Sequence, residues 1–181
     1  MPVDRAAAAR GALAGAVAAT VWALQQPLDK RLFGVDYDDR DVLGLAVTRG
    51  RAARPLGMAL HVGNGALFGA IYASVAPRVP LPSWTRGPAA GLLEHVATWP
   101  LTAVLPAVHP AAGRLPRLWG SGPALAQATW RHVLFGIVLG ELERRLNAPQ
   151  VEPVRPYEPV ASSNGHGDLE HAEVVGFTPG T

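Results

Sequence analysis

The sequence has no cysteine, which excludes a disulfide framework, a thiolate metal site and a cysteine nucleophile. Charge is scarce as well. Asp, Glu, Lys and Arg make up 17% of the 181 residues, where about 25% is usual for a soluble domain. The formal net charge of +2 is small and dispersed. No Lys/Arg run with interleaved aromatics marks a nucleic-acid interface. Ser121, Ser162 and Ser163 lack a nucleophile-elbow context, and no His-x-x-x-His or His-Glu-x-x-His spacing offers a metal site. These absences argue against a soluble enzyme.

Apolar length is what the chain does have. Four windows, Gly11–Pro27, Pro55–Pro77, Gly87–His109 and Leu118–Gly140, hold only Glu94 and Arg131 of the thirty charged residues. Roughly 20 helical residues cross the ~30 Å hydrocarbon core of a bilayer. We therefore expect an all-α protein, a four-helix transmembrane bundle with spans at about 6–27, 55–77, 87–109 and 123–142. Proline punctuates these runs. Pro27 and Pro77 close the first and second, while Pro55, Pro88 and Pro123 open the second, third and fourth, positions a helix tolerates. The first span is rich in Ala and Gly and extends back past Arg10, which can snorkel to the interface. A signal peptide is the rival reading of that stretch, although Gln25-Gln26-Pro27 makes a poor cleavage site.

The loops carry the polar residues. In the first loop, Asp39 or Asp41 caps a short helix through Thr48, with Val42, Leu43, Leu45 and Val47 laid on the bilayer surface. The stretch Asp36–Asp41 lacks the glycine and final glutamate of a calcium loop and reads as a solvated turn. Trp84 and Trp119, near span ends, suit an interfacial belt. Residues 148–181 turn to Pro, Gly, Ser and acidic residues, the composition of a disordered tail.

Small residues recur every fourth position in each span. Gly11 and Gly15, Gly65 and Gly69, Gly87 and Gly91, and Gly136 and Gly140 form four GxxxG stripes. Lipid solvates Leu as well as protein does, so membrane helices associate where small residues let backbones approach. The stripes predict packing seams, within one chain or between copies in a homo-oligomer. Spans one and three match at an offset of 76 residues and spans two and four at 71, the pattern of a two-plus-two internal repeat.

Seven polar residues inside the spans are costly to place in lipid: His61, Asn64, Glu94, His95, Gln127, Arg131 and His132. Depth along the helices predicts a Glu94–Arg131 ion pair, with Gln127 one turn before Arg131 completing the network. Such a network is glue in an inert bundle. It becomes a proton, ion or solute path if Glu94, His95, Arg131 and the His61/His132 pair act together, with Pro100 kinking span three just after Glu94-His95. A third alternative is a haem held between His61 and His132.

The strings Asp41-Val42-Leu43-Gly44, His61-Val62-Gly63-Asn64-Gly65-Ala66-Leu67-Phe68-Gly69 and Trp130-Arg131-His132 through Arg145-Leu146-Asn147 carry a resemblance. The chain resembles small bacterial multi-pass integral membrane proteins of uncharacterised function over most of residues 11–147. That resemblance implies a membrane location and brings no activity, ligand or site residue. The expectation is a structural, interaction or accessory protein of the bacterial cytoplasmic membrane, not an enzyme, needing no cofactor. A small channel or transporter subunit is the alternative. Basic residues divide almost evenly between the two sides, and Arg144-Arg145 beside the last span place both termini in the cytoplasm.

Overall fold

The computed structural model describes residues 4–148, so the expected tail falls, from residue 149 onward, outside the described residues. The described residues are helical, without a strand. The α-helices are α1 (Arg5–Phe33), α2 (Asp39–Val47), α3 (Ala53–Val75), α4 (Ser83–Thr98), α5 (Leu105–Val108) and α6 (Gly122–Leu146). Their ends follow local chemistry. The Asp4 carboxylate accepts from the backbone N–H groups of Ala6 and Ala7 at the start of α1, and Gly34 closes it at a left-handed φ of 68°. Asp38 caps α2, with its carboxylate accepting from Arg40 N. Ser121 caps α6, with Pro123 in the first turn.

Proline corrects three expected boundaries. Pro27 does not end the first helix: α1 continues to Phe33 with Pro27 on its exposed side. Pro88 lies inside α4, which begins five residues earlier at Ser83. Pro100 breaks the third span where a kink was expected. It has no N–H for the Val96 carbonyl, and the chain passes into a 3-10 turn at Trp99–Ala103 and then the short α5. At 1.5 Å per residue the 16 residues of α4 rise only about 24 Å. Two helical segments, Arg5–Phe33 and Ala53–Arg78, are long and apolar enough to cross a membrane by themselves.

The helices pack as two antiparallel pairs. The first is α1 with α3, the second is α4 with α6, and the pairs meet along α1 and α6. The glycine stripes form both seams. Gly11 and Gly15 lie against Gly65 and Gly69, so a Cβ on Gly15 would strike the Gly65 carbonyl. At the matching positions of the second pair, Gly87 and Gly91 lie against Gly136 and Gly140, and the backbone of His132 closes on Gly91. All eight glycines are thus occupied within the chain. The two seams differ in register by one helical turn: the offsets of 76 and 71 map the Gly15–Gly65 contact onto Gly91–Gly136, whereas Gly91 meets the His132 carbonyl and Gly136 meets that of Gly87.

A repeat alone would pack α3 against α4, but these two helices barely touch. The four long helices form an open ring with a gap on that side. Between α1 and α6 the core is built from Ala14, Ala18, Ala19, Trp22, Tyr72, Phe135 and Leu139. Trp22 and Phe135 meet edge-on at 6.1 Å, and Phe68 packs on Phe135 at 5.6 Å. Helix α2 is not laid outward. Gly44 meets the backbone of Ala53, and Gly57 of α3 meets the backbone of Arg40.

Candidate functional site

Two polar clusters occupy the interior. The first surrounds Arg131, whose side chain is 0% exposed. Its partner is Asp29 near the end of α1. Arg131 Nε and Nη2 donate to the two Asp29 carboxylate oxygens at 2.6 and 2.7 Å, the bidentate fork that suits guanidinium and carboxylate. Nη1 donates to Asp39 at 2.9 Å and Nη2 also to the Tyr37 carbonyl at 3.0 Å. The Tyr37 ring lies 5.0 Å from the guanidinium carbon.

Both carboxylates are saturated with donors. Asp29 also accepts from Gln25 and Gln127. Asp39 also accepts from Trp22 Nε1, Gln26 Nε2 and the Tyr37 hydroxyl. One guanidinium therefore ties α6 to α1, to the first residue of α2 and to the loop before it. The expected Glu94–Arg131 pair is not formed, because Arg131 is held by these two aspartates. Gln127 does join Arg131, as expected, through Asp29. Among the described residues two acceptors remain unpaired beside the lock, Oε1 of Gln26 and of Gln127.

A ring of charge surrounds this lock. Asp38, 1% exposed, accepts from Lys30, Arg40 and Arg54 at 2.8–3.2 Å. Burial works against its charge, but the bonds from Arg40 and Lys30 outweigh it and hold the carboxyl well below its usual range. Arg40 is raised by the same partnership. Burial, then the Asp39 charge, pushes the Tyr37 hydroxyl far above its usual range. The Asp36–Asp41 stretch is accordingly not a solvated turn: its two central aspartates are tied into the interior.

The second cluster lines a cavity of about 460 Å³ between α3 and α4, backed by α1 and α6 and bordered by α2. His61, Asn64, Glu94, His95 and His132 all line it. Glu94 Oε2 lies 2.6 Å from His132 Nε2, and His132 Nδ1 lies 2.7 Å from the Ala128 carbonyl. His95 and His132 rings sit 4.6 Å apart, and His95 Nε2 is 3.0 Å from the Thr129 hydroxyl. His61 Nε2 reaches the Ala19 carbonyl at 3.1 Å. Val42 and Leu43, expected on a bilayer surface, also border the cavity.

The site does not suit a haem between His61 and His132. Trp22 packs edge-on against both imidazoles, at 5.3 and 4.7 Å, and both nitrogens of His132 are engaged. The structure thus divides the seven expected residues: five surround the cavity, and Gln127 and Arg131 belong to the lock.

Sequence reasoning missed Trp22, Gln26, Asp29, Tyr37 and Asp39. The signal was present for the first three. Gly15, Trp22 and Asp29 are seven apart, and Ala19, Gln26 and Asp29 share the same face. Ending the helix at Pro27 hid the last member. No protein-family model, curated protein or solved structure matches the chain.

Proposed function

We propose that this chain is a multi-pass membrane protein of structural, interaction or accessory kind, with no catalytic step of its own. In this reading α1, α3, α6 and α4 with its 3-10 extension cross the bacterial cytoplasmic membrane, and both termini face the cytoplasm. The distribution of side chains carries the proposal. Inside are mostly Ala and Gly around Trp22, Tyr72, Phe135 and Leu139, together with the polar Arg131, Asp29, Gln26 and Gln127. Outside, exposed, are Leu13, Val17, Leu67, Ile71, Leu93, Val96 and Ile137, from all four long helices. A soluble monomer rarely shows apolar surface on every face, whereas a bilayer favours it, with polar groups paired inside.

The absence of cysteine makes a direct test simple. Single cysteines replace Arg5, Leu81 and Arg51, and a membrane-impermeant maleimide is applied to intact cells and to opened membranes. The proposal expects labelling of Arg51→Cys from outside, and of Arg5→Cys and Leu81→Cys only after opening. A chain recovered in the soluble fraction overturns the membrane reading, and the reversed pattern overturns the orientation.

The cavity favours a second reading, a small channel or transporter subunit using Glu94, His95, His61 and His132. Arg131 has no part in it, being committed to the lock. Proton or solute flux in liposomes that Glu94→Gln abolishes, without loss of folding, would support that reading over the first.

A further inference from the structure

We propose that the cavity between α3 and α4 is a binding site for a neutral, hydroxyl-bearing amphiphile with a flat apolar ring, of phenol or hydroquinone type. The hydrogen-bond partners fix where the hydrogens must be. A carbonyl only accepts, so Nδ1 of His132 carries the hydrogen it gives to Ala128 O. One further proton lies between His132 Nε2 and Glu94 Oε2 at 2.6 Å. Whichever atom holds that proton, the pair is neutral as a unit.

The other two histidines follow the same logic. The Thr129 hydroxyl gives its hydrogen to the Leu125 carbonyl at 2.8 Å, so it accepts from His95 Nε2. His61 Nε2 donates to the Ala19 carbonyl. In each neutral ring the remaining nitrogen, Nδ1, is then a bare acceptor. No partner for it is found among the described residues, nor for Glu94 Oε1. Among the described residues the cavity lining therefore holds three unpaired acceptors, His61 Nδ1, His95 Nδ1 and Glu94 Oε1, alongside the unpaired Asn64 amide and the Trp99 indole N–H.

This donor and acceptor balance selects the ligand class. An anion would meet these acceptors with only the Asn64 amide and the Trp99 N–H to receive it, and no Lys or Arg in the lining. An ammonium would gain little from a Glu94–His132 pair that is already neutralised. A hydroxyl supplies the missing donor without a charge to desolvate. The rest of the wall supplies the apolar half: Trp22, Phe68, Trp99 and Phe135 present ring surfaces, and about 460 Å³ falls within the usual range for small-molecule sites. The gap between α3 and α4 gives lateral access, with the exposed Leu67, Ile71 and Leu101 at its border. Only this route of access from the bilayer depends on the membrane reading; the recognition chemistry does not.

The test uses the purified full chain in detergent micelles, with Trp22 and Trp99 as intrinsic fluorophores. Para-heptylphenol is titrated against para-heptylanisole, whose hydroxyl is capped as a methyl ether, and against heptylammonium. The proposal expects saturable quenching by the phenol and binding about tenfold weaker for the anisole, the effect of one buried hydrogen bond. His95→Phe, which keeps the ring but removes the acceptor, should weaken the phenol and leave the anisole unchanged. Leu67→Trp at the exposed border should obstruct both without touching the polar cluster. Equal affinity for phenol and anisole, tighter binding of heptylammonium, or no saturable quenching by a chain that circular dichroism shows folded would each overturn the proposal. A soluble chain that still prefers the phenol would retain the site while removing the membrane reading.

Discussion

Replacing Arg131 with leucine strands Asp29 in the interior. Asp29 loses two charge-assisted bonds, at 2.6 and 2.7 Å, and keeps only the neutral amides of Gln25 and Gln127. Asp39 loses one bond of 2.9 Å but retains Trp22, Gln26 and Tyr37. Removing one partner of a buried pair typically costs about 3–5 kcal/mol, because the other charge stays buried without compensation. With Asp29 at 1% side-chain exposure and, among the described residues, no basic group but Arg131 within ion-pair distance, the upper half of that range is expected.

Converting Asp29 to leucine as well removes the stranded charge. The double variant should therefore be more stable than Arg131→Leu alone, leaving the Gln25 amide without its carboxylate and Gln127 with only the Val35 carbonyl, a loss of about 1–3 kcal/mol. Unfolding in mixed micelles with rising dodecyl sulfate, followed by far-ultraviolet circular dichroism, measures all four corners of the cycle. A coupling of about 2–3 kcal/mol is expected for Arg131 with Asp29. A coupling near the ~0.6 kcal/mol average of membrane hydrogen bonds would refute the lock. Arg131→Leu with Glu94→Gln is the contrasting cycle: the two residues share no partner, so their effects should add within about 0.5 kcal/mol.

The seams, the charge ring and the histidine cluster give further predictions. Gly15→Ala drives a Cβ into the Gly65 carbonyl and should lower stability by about 1–3 kcal/mol, whereas Gly63→Ala meets nothing within 4 Å and should not; thermal unfolding of the pair in detergent checks this. Asp38 has a depressed folded pKa, so its contribution is fully present above the unfolded value of about 3.9 and disappears as pH falls through the folded value. The stability gap between wild type and Asp38→Asn should hold above about pH 5 and narrow in acid, as acid titration of both proteins will show. Tyr37 has the opposite sign: its raised value makes its contribution complete below about pH 10 and lost above the folded value. Tyr37→Phe should therefore remove part of the alkaline sensitivity of unfolding. Glu94→Gln changes the partner of His132 Nε2, so the imidazole proton signals of His132 should shift in NMR while those of His61 stay in place.

Helical class and the glycine seams were legible because both depend on local spacing. A glycine every fourth residue defines a face wherever the helix lies, and all eight glycines found a backbone against them. The short helix α2 was legible for a similar reason, since an aspartate before an apolar run caps it, although the cap is Asp38 rather than the expected Asp39 or Asp41. The ends of α1 and α4 were not, because proline was read as punctuation. An exposed proline is compatible with a continuing helix, as Pro27 shows. A proline followed by a second proline six residues later, as at Pro100 and Pro106, divides the run.

The candidate site divides along the same line. Sequence alone determined which polar groups within the apolar runs had to find partners, because Glu94, Arg131 and the histidines are costly to desolvate unpaired. It also determined the seams, because only glycine allows two backbones so close. The partners themselves were decided by the tertiary structure. Depth along separate helices placed Glu94 near Arg131, but packing α1 against α6 brought Asp29 to the guanidinium across 102 residues of chain. Glu94 was left to His132. The open side between α3 and α4 was likewise invisible in a repeat that treats the two helix pairs as equivalent. Which helices meet follows from the sum of all the packing surfaces, and a periodicity within one helix carries no term for it.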